Sequence, residues 1–194
     1  MAGLRVIRGK AKGMRLKAVP GDTTRPVTDR VKEALFSILG TDVVGSSWLD
    51  LFAGTGSIGI EALSGGASFV RFIDQNRAAV ATIKANLLYT KLGQMAEVLR
   101  MDAFQLLQAR ADRQFDYIYI APPQYKGLWK RALLDVDQRA EWLAEAAWVI
   151  VQIHPKEEED LDLQNLIEID RRKYGSTLVI FYSRRTDEYD TLEH

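Results

Sequence analysis

Asp50, Gly54, Gly56, Asp74 and Asp102 are the residues whose types and spacing point to ligand chemistry. The first three lie in the run WLDLFAGTGSIGIEAL at 48–63, where an apolar strand meets a small-residue turn and then a helix opening at Ser57. Glycine lets backbone approach a ligand closely and takes positive φ without steric cost. The helix N-terminus behind it offers unpaired N–H groups and a positive dipole end, which suits an anionic or carboxylate-bearing molecule. Gly54-x-Gly56-x-x-Gly59 also fits the dinucleotide fingerprint, and Asp74 follows Gly54 by 20 positions. The glycines alone therefore do not choose between a nicotinamide cofactor and S-adenosylmethionine (SAM). Asp50 favours SAM. A carboxylate in the strand end can hold the turn and meet a positively charged amino-acid moiety, whereas beside a pyrophosphate its charge is repulsive. A glycine turn that only packs is the remaining reading.

The candidate cofactor set is Asp50, Phe52, Ala53, Gly54, Thr55, Gly56, Asp74, Gln75, Asp102 and Ala103. Asp74 closes a second apolar strand, placed to accept both hydroxyls of a ribose. Asp102 closes a third, where it can accept from an adenine exocyclic amine. Either carboxylate can instead be a helix N-cap, because each directly precedes a helical stretch, and both roles can coexist. A fourth strand ends in Ala121-Pro122-Pro123-Gln124-Tyr125, a proline-stiffened loop.

The elements that must position these residues alternate along the chain. LRVIRGKAKGMRLKAV reads as a β-hairpin turning at Gly9 to Gly13, with Leu4, Val6, Leu16 and Ala18 on one face. Thr28 or Asp29 caps a helix with Val31, Leu35, Ile38 and Leu39 at helical spacing, stopped by Gly40. From Trp48 the expected order is strand 48–52, helix from 57, strand 69–73, helix 76–89, strand 97–101, helix 103–110 and strand 115–120. Two helical stretches follow at 126–134 and 139–146, then strands 148–153, 166–170 and 178–183. Repeated β–α units imply a parallel sheet covered on both faces, and the closing β–β pair implies one antiparallel strand. In such sheets ligands sit beyond the carboxyl ends of strands, where all the singled-out residues fall.

Length and composition agree with one domain. At 194 residues, 47% hydrophobic and 27% charged, the chain can bury around 70% of its unfolded surface. No apolar run approaches the ~20 residues that cross a bilayer. No signal-peptide pattern is evident, a cytoplasmic location is expected, and Leu192-Glu193-His194 reads as a tag remnant. There is no Cys, which excludes thiolate nucleophiles and Cys-ligated metals. No metal is expected, since His154 is the only histidine outside the tag remnant and reads as a strand-end or core residue. Net charge is zero, yet residues 1–20 carry Arg5, Arg8, Lys10, Lys12, Arg15 and Lys17 with no acid. With Arg25 and Arg30 these form a candidate RNA-binding set, a basic arm on a near-neutral body. A solvated hairpin that merely carries lysines is the plainer reading.

The chain resembles the RsmD-type bacterial methyltransferases. The resemblance rests on RVIRGKAKGMRL, RPVTDRVKEALFSIL at 25–39, DLFAGTGSIGIEALSGGA at 50–67, FIDQNRAA at 72–79 and KYGSTLVIFY at 173–182. The segment at 25–39 is the most family-specific. The resemblance implies a seven-stranded, Rossmann-like SAM-binding sheet at 21–191, mostly parallel with one antiparallel strand, preceded by a hairpin at 1–20. It further implies methyl transfer to the exocyclic N2 of a guanine in small-subunit (16S) rRNA, free or in a ribonucleoprotein particle, leaving S-adenosyl-L-homocysteine, by an enzyme expected to be monomeric. One departure stands out. The family closes its fourth strand with Asp-Pro-Pro-Tyr or Asp-Pro-Pro-Phe, whereas this chain has Ala121-Pro122-Pro123-Gln124, with the aromatic one place on at Tyr125. The family's acid and a proline carbonyl accept from the amine while the aromatic stacks on the base. Here Gln124 offers a neutral amide oxygen and Tyr125 a ring. A weakly active or inactive SAM-binding, rRNA-binding assembly factor is the alternative that Ala121 raises.

Overall fold

The computed structural model describes residues 4–21 and 27–186; Arg25 and Leu192–His194 lie outside the described residues. The chain divides into two compact units after Ala103. The first contains α1 (Asp29–Leu39), β1 (Ser47–Asp50), α2 (Ser57–Ser64), β2 (Phe69–Asp74), α3 (Arg77–Thr90) and β3 (Ala96–Arg100). Thr28, not Asp29, caps α1, its hydroxyl accepting from the Val31 N–H at 3.3 Å, and Gly40 ends the helix at φ 56°. The strands run parallel in the order β3-β2-β1, with Asp50 opposite Phe72 and Asp74 opposite Arg100. Parallel register sets the carboxyl ends side by side, which is why two acids far apart in sequence close neighbouring strands. Trp48, Leu49, Val70 and Phe72 are buried without alternation, as strands covered on both faces require. At Gly59 a Cβ would lie 2.3 Å from the Phe72 ring, so only glycine lets α2 settle this close to β2.

The second unit contains β4 (Phe115–Ile120), α5 (Leu128–Gln138), β5 (Leu143–Ile153), β6 (Leu166–Tyr174) and β7 (Thr177–Arg184) after α4 (Ala103–Gln108). Its order is β4-β5-β7-β6, with β4 and β5 parallel and β7 antiparallel to both its neighbours. The expected class holds: an α/β fold with a seven-stranded mixed sheet. Among the described residues no helix is long and apolar enough to cross a membrane.

Two expectations need correction. The stretch 139–146 is not helical. A single 3-10 turn at Ala140–Trp142 gives way to β5, which begins five residues earlier than expected, at Leu143 rather than Trp148. Leu143 pairs with Phe115, and the Trp142 ring stacks on Phe115 at 6.3 Å, so strand pairing overrides the helical preference of Ala and Glu there. At the N-terminus the chain does fold back, with Val6 N–H donating to Met14 at 2.9 Å and Leu16 to Leu4 at 2.7 Å. It forms only an isolated Arg5–Arg15 bridge, not two strands. The physical reason is competition for donors. The N–H groups of Ile7 and Arg8 go to the Glu61 carboxylate, Lys10 to the Ser64 carbonyl and Ala11 to the Ser64 hydroxyl. Gly9, at φ 78°, passes so near α2 that a Cβ would meet the Ser64 carbonyl at 1.8 Å. Val6, Ala11, Leu16 and Val19 are buried while Ala18 is exposed, so the segment lies on the helices as an irregular strap.

Candidate functional site

In the first unit the cradle is built at the carboxyl ends of β1 and β2. Asp50 is buried, and its carboxylate accepts the main-chain N–H groups of Phe52 and Gly59. Its Oδ1 has no hydrogen-bond partner. Burial first, and then the charge of Asp74, push the Asp50 carboxyl up from 3.8 to about 7. The turn beyond it is set by Gly54 at φ 57° and Gly56 at φ 79°. A Cβ at Gly54 would meet nothing within 4 Å, whereas one at Gly56 would press on Ile83 at 3.3 Å. The Gly54 position thus opens onto free space while Gly56 is packed from behind.

Asp74 holds the rim. One carboxylate oxygen accepts the Gly54 N–H at 2.9 Å and the other accepts the Asn76 N–H at 2.8 Å. It does not cap α3; Asn76 does, accepting from Ala78 at 2.8 Å. With each oxygen taking only one donor, Asp74 keeps acceptor capacity for two vicinal hydroxyls. Gln75 is exposed and Phe52 half-buried, while Asp102 is half-buried immediately ahead of buried Ala103 at the start of α4. Thr55 accepts the Ser57 N–H through its hydroxyl at 3.3 Å, and the Ser57 hydroxyl is buried without a partner.

One organiser of this cradle was not anticipated from the sequence. Asn86, buried in α3, accepts from the Lys17 N–H at 2.8 Å and donates to the carbonyls of Lys17 and Thr55 at 3.1 and 3.0 Å. It fastens the N-terminal strap and the glycine turn to the same helix. An Asn within an apolar helical repeat gives no sign of this, because its partners are main-chain groups distant in sequence.

In the second unit, Ala121 and Pro122 are half-buried at the end of β4, and Pro123, Gln124 and Tyr125 are exposed. Tyr125 stands at φ 61°, a backbone region that side chains other than glycine rarely adopt. Its N–H donates to Glu157 Oε1 at 2.8 Å, and its ring lies 5.6 Å from that of His154 at 43°. Glu157 Oε2 accepts the His154 N–H at 3.3 Å, and His154 Nδ1 accepts the Lys156 N–H at 3.1 Å. His154 follows the last residue of β5 and is half-buried, a strand-end residue as expected. Glu157 stands in the run Glu157-Glu158-Glu159-Asp160, where nothing in the sequence sets one carboxylate apart from the next. Histidine is not among the usual N-cap types, so the capping box it forms with Glu157 carried no sequence signal.

The basic residues divide. The Arg8 guanidinium donates to the Phe36 carbonyl at 2.7 Å and lies over the Phe36 ring at 5.6 Å, so it serves the C-terminus of α1. Arg5 pairs with Asp29 at 2.7 Å yet remains exposed. Lys10, Lys12, Arg15, Lys17 and Arg30 are exposed.

These features fit a cationic, ribose-bearing ligand: an unpaired oxygen on buried Asp50, open room over Gly54 and a doubly anchored rim carboxylate. Comparison with known proteins places the chain more narrowly. It is 39% identical to a Bacillus subtilis (strain 168) protein named "Putative rRNA methyltransferase YlbH", over 94% of this chain and 100% of that one. It is 33% identical to the Escherichia coli (strain K12) ribosomal RNA small subunit methyltransferase D, over 77% of this chain and 74% of that one. The solved structure titled "Putative methyltransferase yhhF from Escherichia coli" superposes with a TM-score of 0.84 at 29% identity, covering 94% of this chain and 98% of that one. Residues 4–183 match the model of the family described as conserved hypothetical protein 95, and the chain belongs to that family, the RsmD type.

Proposed function

We propose that the protein is a SAM-dependent rRNA methyltransferase acting on the exocyclic N2 of a guanine in small-subunit rRNA. The observation that carries the reading is the buried Asp50 carboxylate with an unpaired oxygen beneath the open Gly54 turn. SAM supplies a methyl group on a sulfonium. Asp50 would hold its ammonium, directly or through water, Asp74 its ribose hydroxyls and Asp102 its adenine amine. The loop Ala121–Tyr125 would take the extruded base, with the Pro122 carbonyl and the Gln124 amide oxygen accepting from the amine beside Ala121 and the Tyr125 ring stacking on it. An aryl amine is a poor nucleophile because its lone pair is delocalised. Main-chain and amide acceptors that bind its hydrogens favour the tetrahedral geometry it must reach. Titration calorimetry with SAM, S-adenosyl-L-homocysteine and NAD, followed by transfer of labelled methyl to small-subunit rRNA and to small-subunit particles, tests the proposal. A preference for NAD would end it.

Ala121 favours a second reading, a SAM-binding rRNA-binding protein with little or no transfer. Loss of one preorganised polar group costs ~10²–10³ in rate, so slow but measurable turnover is expected from the first reading and none from the second.

Asp50 makes SAM binding depend on pH. In the free protein its carboxyl titrates at about 7, and a bound ammonium stabilises the charged form, so binding below that pH releases a proton. Affinity should rise between pH 6 and 8 by up to roughly tenfold, about half of that in fold terms by pH 7, and then level off. The same raised value has the opposite sign for stability of the free protein. Between 3.8 and about 7 the folded state holds a proton that the unfolded state has lost, so stability falls as pH rises through that window, by on the order of 4 kcal/mol in all. Asp50→Asn should flatten both profiles, and an unchanged SAM profile in that variant would refute the assignment.

We also assign the exposed Arg5, Lys10, Lys12, Arg15 and Lys17 to phosphate contact. Replacing Lys10, Lys12, Arg15 and Lys17 by Ala should weaken RNA binding and lower its salt slope by about 0.7–0.9 for each phosphate left without its cation, leaving SAM affinity unchanged. Equal weakening of both would make the strap structural only.

A further inference from the structure

We propose that His154 is the second ring of a two-ring platform for the target base, and that Glu157 is the positioning residue that sets its geometry. This rests on the reading of Ala121–Tyr125 as the loop that receives a nucleobase. Tyr125 alone would be a loosely held stack: it is exposed and sits at a rare positive φ. What fixes it is a single carboxylate. Glu157 accepts the N–H of Tyr125 with one oxygen and the N–H of His154 with the other, so the strand-end turn after β5 and the loop after β4 are tied at the two residues that carry the rings.

The imidazole itself is locked. Its Nδ1 accepts the Lys156 N–H at 3.1 Å, so in the neutral ring the proton sits on Nε2, which becomes a directed donor. The rings lie 5.6 Å apart at 43°, a splayed pair rather than a closed stack. Such a pair contacts a base on its face with one ring and on its edge with the other. A guanine presents N7 and O6 acceptors on its Hoogsteen edge, where adenine has N7 and an amine, and the Nε2–H has the chemistry to engage the guanine pair. The pair thereby favours a guanine over an adenine, which adds specificity that the loop's main-chain acceptors, facing an amine, do not supply.

The test uses the full chain with two readouts: methyl transfer from labelled SAM into transcribed small-subunit rRNA and small-subunit particles, and quenching of a single-stranded RNA oligonucleotide carrying one 2-aminopurine, whose emission falls on stacking. His154→Ala should lower transfer by about 5- to 100-fold and weaken quenching, the range expected when one stacking ring is removed. SAM affinity should not move. His154→Phe should restore quenching but only part of transfer, because the ring returns without its donor. Glu157→Gln should fall between wild type and His154→Ala, since an amide oxygen can accept only one of the two N–H groups and its NH₂ faces the other. Full activity and quenching in both His154 variants, with Tyr125→Ala impaired, would overturn the platform and leave the proposed function standing. Absence of transfer and quenching in the wild-type protein, with SAM bound, would overturn both.

Discussion

Ala121→Asp is expected to raise the single-turnover rate of methyl transfer by about tenfold to a hundredfold, with SAM affinity nearly constant. Position 121 follows the last residue of β4 and is half-buried. A carboxylate there would join the loop's main-chain acceptors and bind the amine hydrogens as positive charge develops on nitrogen. That interaction strengthens in the transition state, so it belongs in the rate and not in ground-state binding. The gain should be smaller than the ~10²–10³ typical of a lost preorganised group, because Gln124 already offers a neutral acceptor and positioning of the two reactants contributes whether or not the acid is present. Rapid-quench measurement with enzyme in excess over rRNA gives the rate. A variant that binds SAM as wild type does but transfers no faster would show that the loop does not present an amine to position 121. Its carboxylate would then be a partly desolvated charge without a partner.

How much of this was legible in the sequence depends on where each signal resides. The strand end and the glycine turn were legible because their determinants are local. An apolar run, an acid and a pair of glycines specify a strand end and a turn within ten residues, and Asp50, Gly54 and Gly56 lie where that pattern put them, as Asp74 does at the end of the next apolar run. Of the two roles open to Asp74, helix capping falls to Asn76, and the carboxylate instead ties the Gly54 and Asn76 N–H groups while keeping acceptor capacity for a ribose. Groups whose partners are distant main-chain atoms were not legible. Asn86, Glu157 and Glu61 all act this way, each accepting N–H groups that no sequence period predicts. The β5 error has the same origin, since Leu143–Trp148 is made a strand by Phe115 and Tyr117 in β4. The hairpin was half right: its fold-back was read from alternation, but alternation cannot reveal that α2 captures the donors.

That capture centres on a buried ion pair, and removing one half of it should be the most destabilising single change in the first unit. Lys32 and Glu61 are both fully buried, with Nζ 3.3 Å from Oε2. Glu61 also accepts from Ile7 and Arg8 at 3.1 and 2.9 Å, and Lys32 donates to the Arg5 carbonyl. Lys32 occupies an α1 position beside Val31 on a helix otherwise buried through Leu35, Phe36 and Leu39. A lysine there is tolerated only because an acid and a main-chain carbonyl meet it, and burial still holds the Glu61 carboxyl above its usual range. Glu61→Ala strands the ammonium and leaves two main-chain donors unpaired. The expected cost is about 3–5 kcal/mol, or a melting temperature lower by about 6–20 °C for a chain of this size. Lys32→Met should cost less, since the charge leaves with the side chain and Glu61 keeps two N–H partners. The double variant Lys32→Met/Glu61→Gln should recover part of the Glu61→Ala loss, because the amide oxygen still accepts from the strap with no charge left to compensate. Hydrogen exchange at Ile7, Arg8 and Ala11 should rise with Glu61→Ala before the sheet amides do, as the strap is the part that loses its anchor. A Glu61→Ala protein melting within about 2 °C of wild type, with those amides still protected, would mean that the apolar contacts of Val6, Leu16 and Val19 hold the strap and the ion pair does not.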